Sequence, residues 1–248
     1  MCIRDRVNMA ANQFVTNFRT AVNPQIVKRY AVHDYDGSKR LLLASTKYSY
    51  YLSLLICLPI LLLTESLLRF WLGTFPDYTI AFVQIVTVQS LFQVFDTSFY
   101  TALYAKGSLR ENALLSPTLG FLQFPLIYLL FKLGYSPIVL SWSNLLICMF
   151  LALFIKPFLL VRIVGYDWCD IGLVFKSCLR VTIVALLLPL LLRWCVDVTC
   201  LDFWGSLGYL ILIILSVFTS VFYVGIDKEI REKVISYIKN KILKCKTI

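Results

Sequence analysis

Gln89, Gln93, Asp96, Tyr100 and Tyr104 follow one another at steps of three or four through the apolar run from Val83 to Ala105. Steps of that size keep side chains on one face of an α-helix, so the run predicts a polar stripe bearing a carboxylate along a segment long enough to cross a bilayer. A charged side chain at the bilayer centre costs about 2.5 to 3.5 kcal/mol on insertion scales, and it is normally turned toward a bundle interior or a water-filled cavity. The stripe therefore reads as a lining. The plainer alternative is that Asp96 bonds a neighbouring helix or a lysine near the membrane surface.

A second seam lies upstream. Between Val7 and Tyr30 the residues Asn8, Asn12, Thr16, Arg19 and Asn23 again fall at helical spacing, which predicts a cavity-facing helix carrying one guanidinium. The alternative is an amphipathic helix lying on the membrane surface, although such helices usually carry more Lys on the polar face.

Neither seam resembles catalytic machinery. The chain shows no nucleophile with an adjacent base, no glycine-rich phosphate loop and no paired carboxylates, so an enzyme is not expected. Glu65, Asp77, Asp197 and Asp202 stand near Phe70, Tyr78, Trp194 and Phe203 respectively, as at a membrane interface. The eight cysteines are scattered without metal-ligand spacing. Cys57 and Cys148 sit inside apolar runs where a thiol packs as a small apolar group, and a disulfide between Cys195 and Cys200 is not favoured. His33 is the only histidine, in the polar turn His33 to Gly37, so neither metal nor cofactor is implied.

The elements that must carry these seams follow from composition. Hydrophobic residues make up 59% of the chain and charged residues 15%, and apolar runs of about 20 residues recur, which predicts an all-α polytopic membrane protein. Six full spans are expected: Tyr50 to Leu63 extended back to Lys47, Ile80 to Ala105, Leu114 to Leu133, Pro137 to Ile155, Leu179 to Leu192, and Leu207 to Gly225. The segment from Val7 to Tyr30 adds a partial, cavity-facing helix. Pro24, Pro59, Pro117, Pro125 and Pro189 interrupt or border these spans. Proline is common in transmembrane helices, and singly none demands a functional account.

Charge tests the count, because short cytoplasmic loops hold the excess of Lys and Arg. Alternating sides places Lys28, Arg29, Lys39, Arg40, Lys47, Lys106, Arg110, Lys156, Arg162, Lys176, Arg180 and the lysine-rich tail together, against only Arg69, Lys132 and Arg193 on the other side. The tail is thus expected to be cytoplasmic. Its stripe of Ile230, Val234, Ile238 and Ile242 among lysines suits a helix along an anionic leaflet, and a basic flank after a last span gives no reason to expect nucleic-acid binding. Gly165 to Lys176 reads as a short interfacial helix, with Trp168 and Phe175 as anchors and Asp167 and Asp170 in water. On this count Arg4 and Arg6 fall on the wrong side for a first helix, so residues 1–6 are expected to be a truncated or non-native start. The expected division is 7–160 as a partial bundle, 161–178 as a connector, 179–226 as an additional helix pair and 227–248 as a basic tail.

Three phrases carry a resemblance: Asn17-Phe18-Arg19-Thr20-Ala21-Val22-Asn23-Pro24-Gln25-Ile26, then Trp71-Leu72-Gly73 with Pro76, then Ala102-Leu103-Tyr104-Ala105-Lys106-Gly107. In this order and spacing they resemble the second half of bacterial polysaccharide biosynthesis membrane proteins. These are the O-antigen and capsule flippases of the multidrug/oligosaccharidyl-lipid/polysaccharide exporter superfamily, and the resemblance runs from about Val7 onward.

That resemblance implies two six-helix bundles, of which this chain would supply most of the second plus an extra C-terminal pair. The chain alone would then be inactive. It also implies alternating access about a cationic cavity that accepts the pyrophosphate of a polyprenyl-linked glycan. Arg19 is the candidate cation, with Asn12, Thr16, Asn23, Gln89, Gln93 and Asp96 lining the same cavity to hold sugar hydroxyls or a coupling cation. The implied partners are the lipid-linked oligosaccharide, membrane lipids and a glycan polymerase, with the transporter monomeric in the inner membrane. A drug or cation antiporter of the same superfamily should carry more acidic groups within the membrane. A glycan polymerase or glycosyltransferase should show a large outer loop, and the outer loops here are short.

Overall fold

The computed structural model describes residues 3–195, 203–226, 231–232 and 236, and among these every regular element is helical. In chain order the helices are α1 (Ile3–Ala31), α2 (Tyr35–Leu62), α3 (Thr64–Leu72), α4 (Thr79–Lys106), α5 (Arg110–Lys132), α6 (Val139–Phe150), α7 (Lys156–Leu159), α8 (Trp168–Cys195) and α9 (Phe203–Ser220). A wide π-turn, Leu151–Ile155, joins α6 to α7, a second, Leu160–Val164, continues α7 so that the three form one rod, and a third extends α9 to Gly225. Six of these rods are long and apolar enough to cross a membrane. The chain is an all-α, multi-pass membrane protein.

Helices α1, α2 and α4 pack on one another, α8 and α9 form a pair laid against α2, and α6 lies along α4. Helix α5 touches mainly α6, and its row of large apolar side chains, Phe121, Leu122, Phe124 and Tyr128 among them, is exposed. Helix α1 is a member of the bundle and not a surface helix, with Val15, Arg19 and Ile26 buried.

Lipid is as apolar as leucine, so helices in a membrane are held by close packing and interhelical hydrogen bonds. Both are visible at the bundle centre. The Phe95 ring lies 5.1 Å from Tyr50 and 4.7 Å from Phe175, centroid to centroid, with Phe99 fully buried beside them. Tyr50 and Tyr51 share hydrogen bonds of 2.9 Å with Thr182 and Ser177 of α8. Across the α8–α9 seam, Ser216 donates to the Ala185 carbonyl and Ser220 to the Val181 carbonyl, each at 2.9 Å. The first has a local cause: Pro189 has no N–H, so the carbonyl four residues earlier loses its helical partner, and Ser216 replaces it.

Several expected boundaries shift. Helix α2 starts at Tyr35 rather than near Lys47, because Asp34 caps it by accepting the Gly37 N–H at 2.9 Å. A Cβ at Gly37 would sit 2.0 Å from Asp34 Oδ2, so glycine is needed at that contact. The expected interfacial helix from Gly165 to Lys176 is instead the loop 165–167 followed by the first turns of α8, and Phe175 packs into the aromatic core while Trp168 stays exposed. The fourth span runs to Val164, nine residues past the expected end, and Gly165, at φ 87°, closes it. Lys156, expected in a loop, therefore lies inside a helix and is buried to 3% exposure. Expectations for Asp197, Asp202, the Cys195–Cys200 pairing, the Asn8 side chain and the apolar stripe of the tail lie outside the described residues.

Candidate functional site

Helices α1 and α4 touch along a face that both leave open, and a groove of about 310 Å3 runs between them, lined by Asn12, Thr16, Arg19 and Asn23 from α1 and by Gln93, Thr97, Tyr100 and Thr101 from α4. Helical geometry places these side chains together. Positions 12, 16, 19 and 23 share one stripe of α1, and 93, 97, 100, 101 and 104 share one of α4.

Arg19 stands at the waist of the groove with 7% of its surface exposed. Its guanidinium donates to the Thr97 hydroxyl and the Thr97 carbonyl, and to the Thr101 hydroxyl at 2.9 Å. Three of its five N–H donors are thus spent on α4. Asn23 adds to the same network, accepting from Thr101 at 3.4 Å. Thr97 and Thr101 went unnoticed in the sequence because a threonine inside an apolar helix ordinarily bonds its own backbone. Their spacing of four residues beside Gln93 was the available signal.

Two expected lining residues lie elsewhere. With 3.6 residues per turn, Asp96 sits about 60° round α4 from Gln93 on one side, while Thr97 sits about 40° round on the other. Asp96 therefore faces α7, where its carboxylate meets the Lys156 ammonium at 3.0 Å. Gln89 lies on that same side, against α6, where the Cys148 thiol approaches the Gln89 carbonyl at 3.9 Å. The structure thus gathers Asn12, Thr16, Arg19, Asn23 and Gln93 and leaves Gln89 and Asp96 out.

The Asp96–Lys156 pair forms a second polar node. Lys156 also donates to Asn112 of α5 at 2.6 Å and lies 5.4 Å from the centre of the Tyr100 ring. Sequence reasoning missed it because the span containing Lys156 was ended too early. At 1.5 Å per residue, Asp96, Arg19 and Lys156 lie about 15, 18 and 12 Å from the Lys106, Ala31 and Val164 ends of their helices. Those ends lie on one end of the bundle: Lys106 bonds the Ile163 carbonyl, Ser38 of α2 bonds the Ile26 carbonyl of α1, and Lys39 of α2 bonds Asp167 just beyond Val164.

The electrostatic consequence is specific. Asp96 makes its salt bridge with Lys156, its charge also acts on Arg19 through space, and among the described residues no carboxylate lies within ion-pair distance of Arg19. Two cations and one anion at similar depth leave the groove electropositive. At the basic end, Lys39 bridges Asp167 at 2.8 Å and Asp170 at 2.6 Å, tying α2 to α8. The hydrogen bond and charge of Lys39 hold the Asp167 carboxyl below the usual carboxylate range. Among the described residues no three His, Cys, Asp or Glu side chains gather in a way that could hold a metal ion.

The chain matches no protein-family model, no curated protein and no solved structure.

Proposed function

We propose that this chain belongs to a flippase that moves a polyprenyl-pyrophosphate-linked oligosaccharide across the bacterial inner membrane by alternating access, with the basic end of the bundle and the tail cytoplasmic. The observation that carries this reading is Arg19, unpaired with any described carboxylate, in a polar groove between α1 and α4. A guanidinium is a planar fork suited to phosphate oxygens, and it keeps its charge at any physiological pH. The amides and hydroxyls of Asn12, Thr16, Asn23 and Gln93 supply the mixed donors and acceptors that sugar hydroxyls require. The resemblance of the phrases around Arg19, Trp71 and Lys106 to polysaccharide flippases points the same way.

The π-turn between α6 and α7 supplies a place where that rod can flex. Pro157 lacks an N–H, and the Lys156 N–H reaches back five residues to the Leu151 carbonyl, a wide turn of the kind that accommodates kinks. In a bacterium carrying the gene, deletion is expected to abolish surface glycan while lipid-linked repeat units accumulate facing the cytoplasm. Arg19→Ala is expected to reproduce this with normal membrane insertion. Drug sensitivity with normal surface glycan would overturn the proposal in favour of an antiporter.

A further inference from the structure

The groove does not end at its polar waist. A second stretch of about 670 Å3 continues it toward the basic end, sharing Thr20, Asn23, Tyr100 and Thr101 with the first and adding Pro24, Val27, Tyr104 and finally Lys28. The character changes along the way: amides, hydroxyls and Arg19 on one side of the waist give way to proline, valine and two tyrosine rings on the other. Tyr100 and Tyr104 are 39% and 56% exposed, so this stretch opens sideways on the outer surface of the α1–α4 pair.

We infer that this apolar stretch holds the hydrocarbon chain of the anionic lipid whose pyrophosphate meets Arg19, with the chain running toward Lys28 and the head group and its sugars toward Asn12 and Gln93. The inference rests on the reading of the groove as a lipid-phosphate site and adds a direction to it. A hydrocarbon chain gains little by leaving lipid for an apolar groove, since the two are alike. What fixes the direction is the cost of the reverse pose. A chain laid over Thr16 and Gln93 would strip water from a hydroxyl and an amide without replacing those hydrogen bonds, whereas Val27, Pro24 and the tyrosine faces lose nothing by such contact. Charge agrees with this order, because Arg19 lies between the two stretches where an anionic junction of chain and head would fall.

The test uses the full chain in phosphatidylcholine nanodiscs and farnesyl pyrophosphate carrying a photoreactive diazirine on its terminal carbon. Crosslinks are expected on the α1 segment from Pro24 to Lys28 and the α4 segment from Tyr100 to Tyr104. Val27→Trp, which fills the apolar stretch, is expected to lower them about tenfold, and Arg19→Gln to lower them by removing the anchor. Crosslinks spread evenly over the exposed faces of α5 and α9, with binding of inorganic pyrophosphate still dependent on Arg19, would overturn the inference and leave the head-group site standing. Absence of both would overturn the inference and the reading beneath it. Crosslinks concentrated near Asn12 and Gln93 would reverse the direction and likewise refute it.

Discussion

Replacing Asp96 by Asn removes the charge that Lys156 faces while keeping the shape of the side chain. The ammonium is 3% exposed, whereas the Asp96 side chain keeps 30%, so the two single substitutions are unequal. Breaking a buried pair from one side costs about 3 to 5 kcal/mol, because the remaining charge has no solvent. Asp96→Asn leaves the ammonium with Asn112 and the Tyr100 ring, and about 3 kcal/mol is expected. Lys156→Met leaves a carboxylate that water partly reaches, so the figure is discounted to about 2 kcal/mol. Asn112 is not orphaned by that change, because Ser116 still donates to it at 3.2 Å. The double variant removes both charges and is expected within about 1 kcal/mol of wild type, since a neutral pair replaces an ion pair at little cost. The assay is reversible unfolding in mixed micelles, followed by helical circular dichroism and arranged as a double-mutant cycle. Two single effects below about 0.5 kcal/mol that simply add would refute the pairing of α4 with α7.

Other consequences are as concrete. Ser216→Ala is expected to cost about 1 kcal/mol by orphaning the Ala185 carbonyl, and in a Pro189→Ala background, where the helix regains its N–H, that cost should vanish in the same unfolding assay. Gly37→Ala drives a methyl into the Asp34 carboxylate and is expected to cost about 1 kcal/mol through the lost cap, measured in the same way. Asp167 is held below its usual range in the folded chain, so its contribution is complete above its unfolded value of about 3.9 and is lost as pH falls through the lower folded one. The thermal stability difference between wild type and Asp167→Asn should accordingly be constant near neutrality and disappear under strongly acid conditions.

Much of the architecture was legible because bilayer thickness imposes long apolar runs that composition cannot disguise. Each of the six apolar rods was found, and the boundaries that shifted did so for local reasons. An Asp34 cap started α2 early, and Gly165 rather than the first lysine ended the α6–α7 rod. Half the candidate site was legible too: on α1 the stripe of Asn12, Thr16, Arg19 and Asn23 lies on the groove as the spacing predicts. On α4 Gln93 and Tyr100 also lie on the groove, but the charged member of the stripe does not. Charge drew attention to Asp96, but a helix turns about 100° per residue, and the neighbouring Thr97 is the one that meets Arg19. Lys156 was hidden because a lysine at the edge of an apolar run resembles a topological marker until its partner is known.

The central claim is that Arg19 makes the α1–α4 groove a hydrated, electropositive passage. The direct measurement replaces the native cysteines by alanine, places a cysteine at Thr16 on the groove wall, and compares its reaction with a negatively charged and a positively charged thiosulfonate of similar size. The negative reagent is predicted to react faster, and Arg19→Gln should erase that preference. A Thr16→Cys thiol that neither reagent reaches, or one that both label equally whether Arg19 is present or not, would contradict the account.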